Sequence, residues 1–254
     1  MNARRDRSRL ASRGVQIAFV LVLVAAWWIG TTVGKISPIL LPNPRNVFDE
    51  LVDVIWTLEF VGDLRVTLTE LAIAFAISSI TGVTLGYLIS RSQYSMRVFE
   101  PLLAGIYSVP IILFLPLYIL FFGLGPASKI ALGVTTSFFP IILNTIAGFG
   151  YVERIFVMSA RSMGASDYQL FRFVLLPAAA PIILSGLRIG FTVALLSILG
   201  SETIASLAGL GHRIVHLAEG MDTARMFAYI AFAVAIALML NTVTSAFEAK
   251  ARRR

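Results

Sequence analysis

His212 and His216 stand four residues apart, and Glu219 follows three residues later. On a helix this spacing aligns three metal-ligating side chains on one face, as a zinc-dependent hydrolase would need. The rest of such a site is missing. Arg213 occupies the position where a His-Glu-x-x-His pattern carries its general base. The chain has no Gly-x-Ser-x-Gly elbow, no cysteine and no glycine-rich loop ending in Gly-Lys-Ser/Thr. No catalytic residue emerges, and neither a metal nor a cofactor is expected in this chain. A metal-dependent intramembrane hydrolase using His212, His216 and Glu219 remains only as an alternative.

The other groups able to do something specific are polar side chains inside apolar runs. Glu70 and Glu202 are carboxylates next to apolar stretches, where lipid makes an unpaired charge costly. Glu202 is read either as solvated or salt-bridged, or as a gating or delivery-protein contact. Arg65 precedes Glu70 by five residues, which is not the spacing of a pair on one helix face. Arg188 is expected to extend its head to the cytoplasmic interface. Ser108, Ser137, Asn144 and Ser197, together with Glu202, are the candidates for lining a path. Thr135, Thr136, Thr145 and Asn241 are expected to bond to their own backbone or to a neighbouring helix. Pro110, Pro116, Pro140 and glycines 82, 86, 105, 123, 133 and 148 either allow close helix packing or mark helices broken around a path.

The elements that position these groups follow from composition. Hydrophobic residues form 57% of the 254 and charged residues 14%, with a mean hydropathy of +0.85. A soluble core of this size cannot hide so much apolar surface, so the solvent is lipid. The net charge of +7 would suggest nucleic acid in a soluble chain. Here the basic residues cluster at the ends and in short loops, where they orient membrane spans. Uncharged stretches predict an all-α integral membrane protein with six transmembrane helices, at about 14–34, 65–90, 99–123, 129–150, 182–202 and 225–247.

Of the 21 lysines and arginines, only Lys35, Arg45, Arg65, Lys129, Arg213 and Arg225 fall outside if the N-terminus is inside. Both termini are therefore expected in the cytoplasm, as tails 1–13 and 248–254 of one permease domain covering 1–254. The basic start followed by an apolar run is not read as a signal peptide. That run is too long, ends in Trp27-Trp28 and lacks a clear cleavage site. The segment 35–63 carries Asp49, Glu50, Asp53 and Glu59 and is expected to be a water-facing amphipathic piece.

Between the fourth and fifth spans, the segment 151–181 is too polar to cross a membrane, yet Ile155, Met158, Tyr168, Phe171, Val174 and Leu175 recur at helical spacing. Gly164 separates two short helical runs, and Ser166 with Asp167 supplies a cap for the second. Pro177 is expected to end or kink that second helix, and Pro181 to open the next span. The prediction is a helix, a sharp turn and a helix, forming a mixed apolar and basic knob that suits a groove in a partner.

The run from Met158 to Pro177 resembles the signature of the inner-membrane permease subunits of binding-protein-dependent ABC importers. Ser159, Ala160 and Gly164 occupy its small-residue positions, Val174 stands for its isoleucine, and Leu176-Pro177 closes it. The sequence departs from it at Met158, where the family has glutamate. Leu41-Pro42-Asn43-Pro44, Ser108-Val109-Pro110, Leu115-Pro116-Leu117, Phe122-Gly123-Leu124-Gly125, Phe138-Phe139-Pro140 with Asn144-Thr145, and Glu202 with Gly209-Leu210-Gly211 are similar to the subfamily handling sulfonates, taurine and nitrate.

The resemblance implies a type I ABC importer permease architecture with a cytoplasmic coupling helix between spans four and five, in the bacterial inner membrane. It implies docking to the ATPase through Met158, Ser159, Ala160, Arg161, Gly164, Ala165, Leu176 and Pro177. The implied partners are two ATPase subunits that bind ATP and Mg, a periplasmic or lipid-anchored substrate-binding protein, and a second permease subunit in a homodimer. Nucleic acid is not among them. The implied cargo is a small polar or anionic solute of sulfonate, nitrate or vitamin-precursor type, moved by alternating access. An ATP-independent channel or secondary transporter is the competing reading. No internal inverted repeat supports the secondary transporter, and the knob has no purpose in a channel.

Overall fold

A computed structural model of the chain describes residues 15, 18–19, 21–34 and 36–251. The basic tail 1–13 and the extreme C-terminus, with Arg252, Arg253 and Arg254, lie outside the described residues. The described residues contain helices and turns and no strand.

The helices are α1 (Leu21–Thr32), α2 (Pro44–Val54), α3 (Leu58–Ser90), α4 (Gln93–Tyr107), α5 (Leu115–Phe122), α6 (Pro126–Gly150), α7 (Arg154–Ser162), α8 (Asp167–Leu170), α9 (Leu176–Ile204), α10 (Leu210–Glu219) and α11 (Thr223–Ala251). A 3-10 turn, Ile111–Phe114, leads into α5, and a π-helical turn, Phe171–Leu175, joins α8 to α9. Among the described residues, four helical stretches are long and apolar enough to cross a membrane: Leu58–Ser90, Pro126–Gly150, Asp167–Ile204 and Thr223–Thr242. The pair Gln93–Tyr107 and Ile111–Phe122 makes a fifth if its two halves, bent by 71°, count as one span. The described part of the first predicted span is the shorter apolar helix Leu21–Thr32.

The boundaries differ from the predicted ones for a physical reason. Loss of charge marks where lipid begins, whereas caps and prolines mark where helices begin. Thus α3 starts at Leu58, not 65, and carries Glu59, Asp63 and Arg65 in its first turns. Helix α4 starts at Gln93, where Ser92 accepts from the Ser95 N–H, so Arg97 and Glu100 are helical. The expected continuous span 99–123 is broken after Tyr107, and Pro110, which has no N–H, sits in the break. Helix α6 starts at Pro126 and takes Lys129 into its first turn, so this lysine is not a loop charge.

The largest correction concerns Pro177. It does not end a helix. The Leu176 N–H reaches back to the Phe171 carbonyl, and the helix continues from Asp167 to Ile204. The π-helical turn just before the proline lets the chain absorb the missing donor and the bulk of its ring. Pro181 likewise lies inside α9 and does not open it.

The chain divides into two compact units. One is Met1–Val61 with Arg213–Phe232. In it the Trp27 indole donates to the Pro42 carbonyl at 3.1 Å, and Phe60 packs against Tyr229 and Phe232. Asn43 caps α2, and two acidic residues of the amphipathic piece find basic partners: Glu50 with Arg225 at 3.0 Å and Glu59 with Arg213 at 3.3 Å.

The other unit is Gly62–His212 with Ala233–Arg254. Its centre is the pair α6 and α9, which pack along their lengths. Gly148 faces Ala179 and Gly133 faces Ile198, so the two helices run antiparallel. A Cβ on Gly186 would come within 2.4 Å of the Asn144 Cβ, and one on Gly190 within 2.5 Å of the Ile141 Cγ1. The Gly186-x-x-x-Gly190 pattern therefore lets α9 press directly on α6, as small residues do between membrane helices. Gly82 and Gly86 of α3 do the same against Ile141 and Thr145. Leu71, Ala74, Ala194, Leu195 and Ile198 form a core cluster beside this seam.

Candidate functional site

Two polar regions of the larger unit stand out, and they are built in opposite ways. The first is the knob. Helix α7 is capped by Met163, and Gly164 follows with φ +80°, a left-handed conformation that costs glycine little. The Ala165 N–H donates to the Ala160 carbonyl at 3.1 Å, and the Gly164 N–H to the Arg161 carbonyl at 3.0 Å. These two bonds satisfy carbonyls that a helix end leaves open, in a Schellman arrangement. Two residues on, the Ser166 hydroxyl accepts from the Gln169 N–H while the Gln169 side chain accepts from the Ser166 N–H. This capping box starts α8. Arg161 and Asp167 form an ion pair across the turn.

The turn is thus held by local bonds, and its apolar side chains remain outside. Ile155, Phe156, Met158, Met163 and Tyr168 are all more than half exposed, with Met163 at 81%. Of the residues predicted to dock, Met158, Ser159, Arg161, Gly164 and Pro177 are exposed. Ala165 and Leu176 are half-buried, and Ala160 is buried beneath the helix.

The second region is a knot near the other end of α6 and α9. Asp63, Thr67, Glu70, Lys129 and Glu202 are each at most 5% exposed. The Thr67 hydroxyl donates to Glu202 Oε1 at 2.7 Å, and the Gly211 N–H donates to Oε2 at 2.8 Å. The Leu210 N–H donates to Thr67 Oγ1 at 3.0 Å, and the Gly209 N–H to Asp63 at 3.2 Å. Gly209 has φ +107°, and a Cβ there would meet the Glu202 carboxylate at 2.3 Å. The Gly209-Leu210-Gly211 run is therefore the cradle of Glu202.

Lys129 donates to the Leu124 carbonyl and, at 3.3 Å, to the Gly125 carbonyl, and it lies within electrostatic reach of Glu70 and Glu202. Both Glu70 oxygens are buried and accept from no N–H or O–H among the described residues. Arg65 is exposed while Glu70 is buried, so Lys129, not Arg65, is the cation near Glu70.

The remaining sequence candidates do not converge. Ser137 is buried and donates to the Gly133 carbonyl at 2.6 Å, and Asn144 donates to the Pro140 carbonyl at 2.7 Å, both at the seam between α6 and α9. Ser108 is exposed at the break after α4 and donates to the Gly105 carbonyl, and Ser197 is half-buried on α9. Helix α10 carries His212, His216 and Glu219, but among the described residues no three His, Cys, Asp or Glu side chains gather where a metal would sit.

One site was not anticipated. Ser185, Arg188, Ile189, Thr192, Val193 and Asn241 line a cavity beside α9, and Arg188 Nε donates to Asn241 Oδ1 at 3.4 Å. Arg188 is not near a helix end. At about 1.5 Å per residue it stands roughly 24 Å from Arg172 and roughly 21 Å from Glu202 along the helix. The signal was present in the sequence as an arginine inside an apolar run, flanked by Gly186 and Gly190.

Residues 78–254 match the family described as binding-protein-dependent transport system inner membrane component. The chain belongs to this family. It is thus a membrane permease of a binding-protein-dependent ABC importer. Among its relatives, the taurine transport system permease protein TauC of Escherichia coli is 32% identical over 232 residues, covering 89% of this chain and 84% of that protein. The aliphatic sulfonates transport permease SsuC of Bacillus subtilis is 28% identical, over 90% of this chain and 83% of the relative. The formylaminopyrimidine transport permease ThiX of Halalkalibacterium halodurans is 32% identical, over 84% of each. Among solved structures, a chain of the MetNI methionine ABC transporter in an inward-facing conformation superposes with a TM-score of 0.62 at 17% identity, covering 73% of this chain and 93% of that one. A chain of an amino acid ABC transporter with histidine also reaches 0.62 at 22% identity, over 80% and 98%. At those identities the likeness is one of fold.

Proposed function

We propose that this permease forms the membrane path of an ATP-driven importer for small organic sulfonates of the taurine type. The observation that carries the substrate class is the 32% identity to a taurine permease over 89% of the chain. In this reading two copies of the chain assemble with two ATPase subunits, which bind ATP and Mg, and a periplasmic or lipid-anchored protein delivers the solute. The chain itself performs no chemistry. In this reading the chain crosses six times with both termini in the cytoplasm, α7 and α8 at the inner face and the Glu202 knot near the outer one.

The exposed apolar knob supports a docking role. Ile155, Phe156, Met158 and Met163 cover a turn that is already self-supported, so burying them in a groove of the ATPase needs no refolding. Motion of the nucleotide-bound pair then reaches the spans through α8, the π-helical turn and α9, a single uninterrupted helix from Asp167 to Ile204. Such a device biases a two-state equilibrium between inward- and outward-open forms.

The test is purification of the tagged permease from native membranes in mild detergent, with identification of its partners. An ATPase should co-purify, and its hydrolysis should rise when a delivery protein loaded with taurine is added. A ligand screen of that delivery protein separates sulfonates from a pyrimidine vitamin precursor of the kind named for ThiX. A permease recovered alone in several detergents, with no nucleotide-dependent activity, would overturn the assembly.

A further inference from the structure

Glu70 presents a buried carboxyl that the hydrogen bonds of the knot do not serve. Its side chain is 1% exposed, and neither oxygen accepts from an N–H or O–H among the described residues. A carboxylate sealed from water without a donor is costly. Its neighbour Glu202 is equally buried, yet Oε1 accepts from the Thr67 hydroxyl and Oε2 from the Gly211 N–H. Thr67 has a single hydroxyl hydrogen, and its oxygen accepts from the Leu210 N–H, so that hydrogen is committed to Glu202. Thr67 and Glu70 stand three residues apart on α3 and share one face of it. The Glu70 carboxyl accordingly lies within hydrogen-bonding reach of the Glu202 carboxyl.

Two carboxyl groups in contact and away from water cannot both hold a negative charge without strong repulsion. The other charged groups facing this pair are Lys129 of α6 and Asp63 of α3. The Lys129 ammonium balances one carboxylate, and Asp63, which accepts from the Gly209 N–H, only adds negative charge. The hydrogen bonds decide which carboxyl stays ionised. Glu202 accepts two, and both favour its charged form. Glu70 accepts none, and as a neutral acid it gains an O–H to donate.

We propose that Glu70 and Glu202 form a proton-binding site, in which one proton resides on Glu70, is donated to Glu202 and fastens α3 to α9. With the proton in place, the Glu70 O–H joins the Thr67 hydroxyl as a second clasp from α3 onto Glu202. Without it, two like charges meet across the same contact and the knot loosens. The site is a pH-sensitive fastening, and it does not depend on which solute is carried.

The test is thermal unfolding of the full-length permease in mild detergent as a function of pH. Once unfolding exposes Glu70 to water, it is ionised above about pH 5, as an ordinary carboxyl is. The folded chain then holds one more proton than the unfolded chain, so this contribution to stability is lost as pH rises. Glu70→Gln keeps the shape and the donor but has no proton to lose. Its melting temperature relative to wild type should therefore climb from about pH 5 to about pH 8. The histidines titrate in both proteins and cancel in this difference. A difference that stays constant or shrinks with rising pH would overturn the proposal.

A second measurement does not depend on a variant folding. Wild-type permease made with glutamate labelled with carbon-13 at the side-chain carboxyl should show, at neutral pH, the infrared carbonyl stretch of a neutral carboxylic acid, displaced by the label. The band should disappear in Glu70→Gln. Its absence from wild type at neutral pH, or its persistence in Glu70→Gln, would equally overturn the assignment.

Discussion

The knob around Gly164 and the knot around Glu202 are both polar elements of one unit, yet they solve opposite problems. The knob is held by bonds spanning three to six residues, and its apolar side chains stay exposed. The knot is held by bonds spanning up to 146 residues, and its charged side chains are sealed. Local bonds keep a surface in shape before any partner arrives. Long-range bonds join segments that would otherwise separate, here the start of α3, the end of α9 and the loop before α10. The difference teaches that exposure of apolar side chains marks a surface to be covered, whereas burial of charged ones marks a fastening.

Substitutions can break or sharpen this contrast. The largest effect is expected from Gly164→Pro. Proline cannot adopt φ +80° and has no N–H to donate to Arg161. ATP-dependent uptake should fall to background and the ATPase should no longer co-purify, while the purified permease keeps its thermal stability. Retained ATP-dependent uptake in this variant would defeat the docking role, and flux that persists without ATP would favour a channel. The knot should behave in the reverse manner. Glu202→Ala leaves Thr67 and the Gly211 N–H without their acceptor in a buried place, at a cost of about 3 kcal/mol. Its melting temperature in detergent should drop by several degrees, with ATPase capture preserved in the folded fraction.

Lys129→Met should come next. It removes the donor to the Leu124 and Gly125 carbonyls and leaves Glu70 and Glu202 without their nearby cation. It should destabilise more than Glu70→Gln, because a glutamine keeps the shape of the Glu70 side chain and can still donate to the neighbouring Glu202. A larger effect of Glu70→Gln would show that this carboxyl carries the knot. Ser166→Ala, which removes half of the capping box, should cost about 1 kcal/mol and weaken ATPase capture by a few-fold. The smallest effect on folding should come from Arg161→Ala. Its ion pair with Asp167 joins side chains that are 52% and 81% exposed, and such pairs contribute less than about 1 kcal/mol.

Much of the knob was readable from residues alone. Gly164 as the break, Ser166 as the cap and the exposed apolar positions all follow from rules that act over a few residues. Of the two readings of Pro177, ending the helix failed, because a proline's effect depends on whether the preceding turn can widen, and the Phe171–Leu175 segment does. Several helices run past the predicted spans, because loss of charge does not mark the end of a helix. Glu59, Arg97 and Lys129 are all helical. The knot was visible only as scattered parts. Glu202 and Gly209-Leu210-Gly211 were noted together, but Thr67, Asp63 and Lys129 drew no attention beside them.

By itself the sequence determined what depends on transfer energy and short-range geometry: a membrane protein, an all-helical chain, a polar knob with a glycine turn, and the family. Those properties sum over neighbouring residues, so they survive without coordinates. The tertiary structure alone decided which helices touch and in what register. It set Glu70 beside Lys129 instead of Arg65, pressed Gly186 and Gly190 of α9 against α6, and put Arg188 beside Asn241. Each of those pairings depends on the rotation and register of whole helices, quantities that many distant residues fix together and no local pattern records.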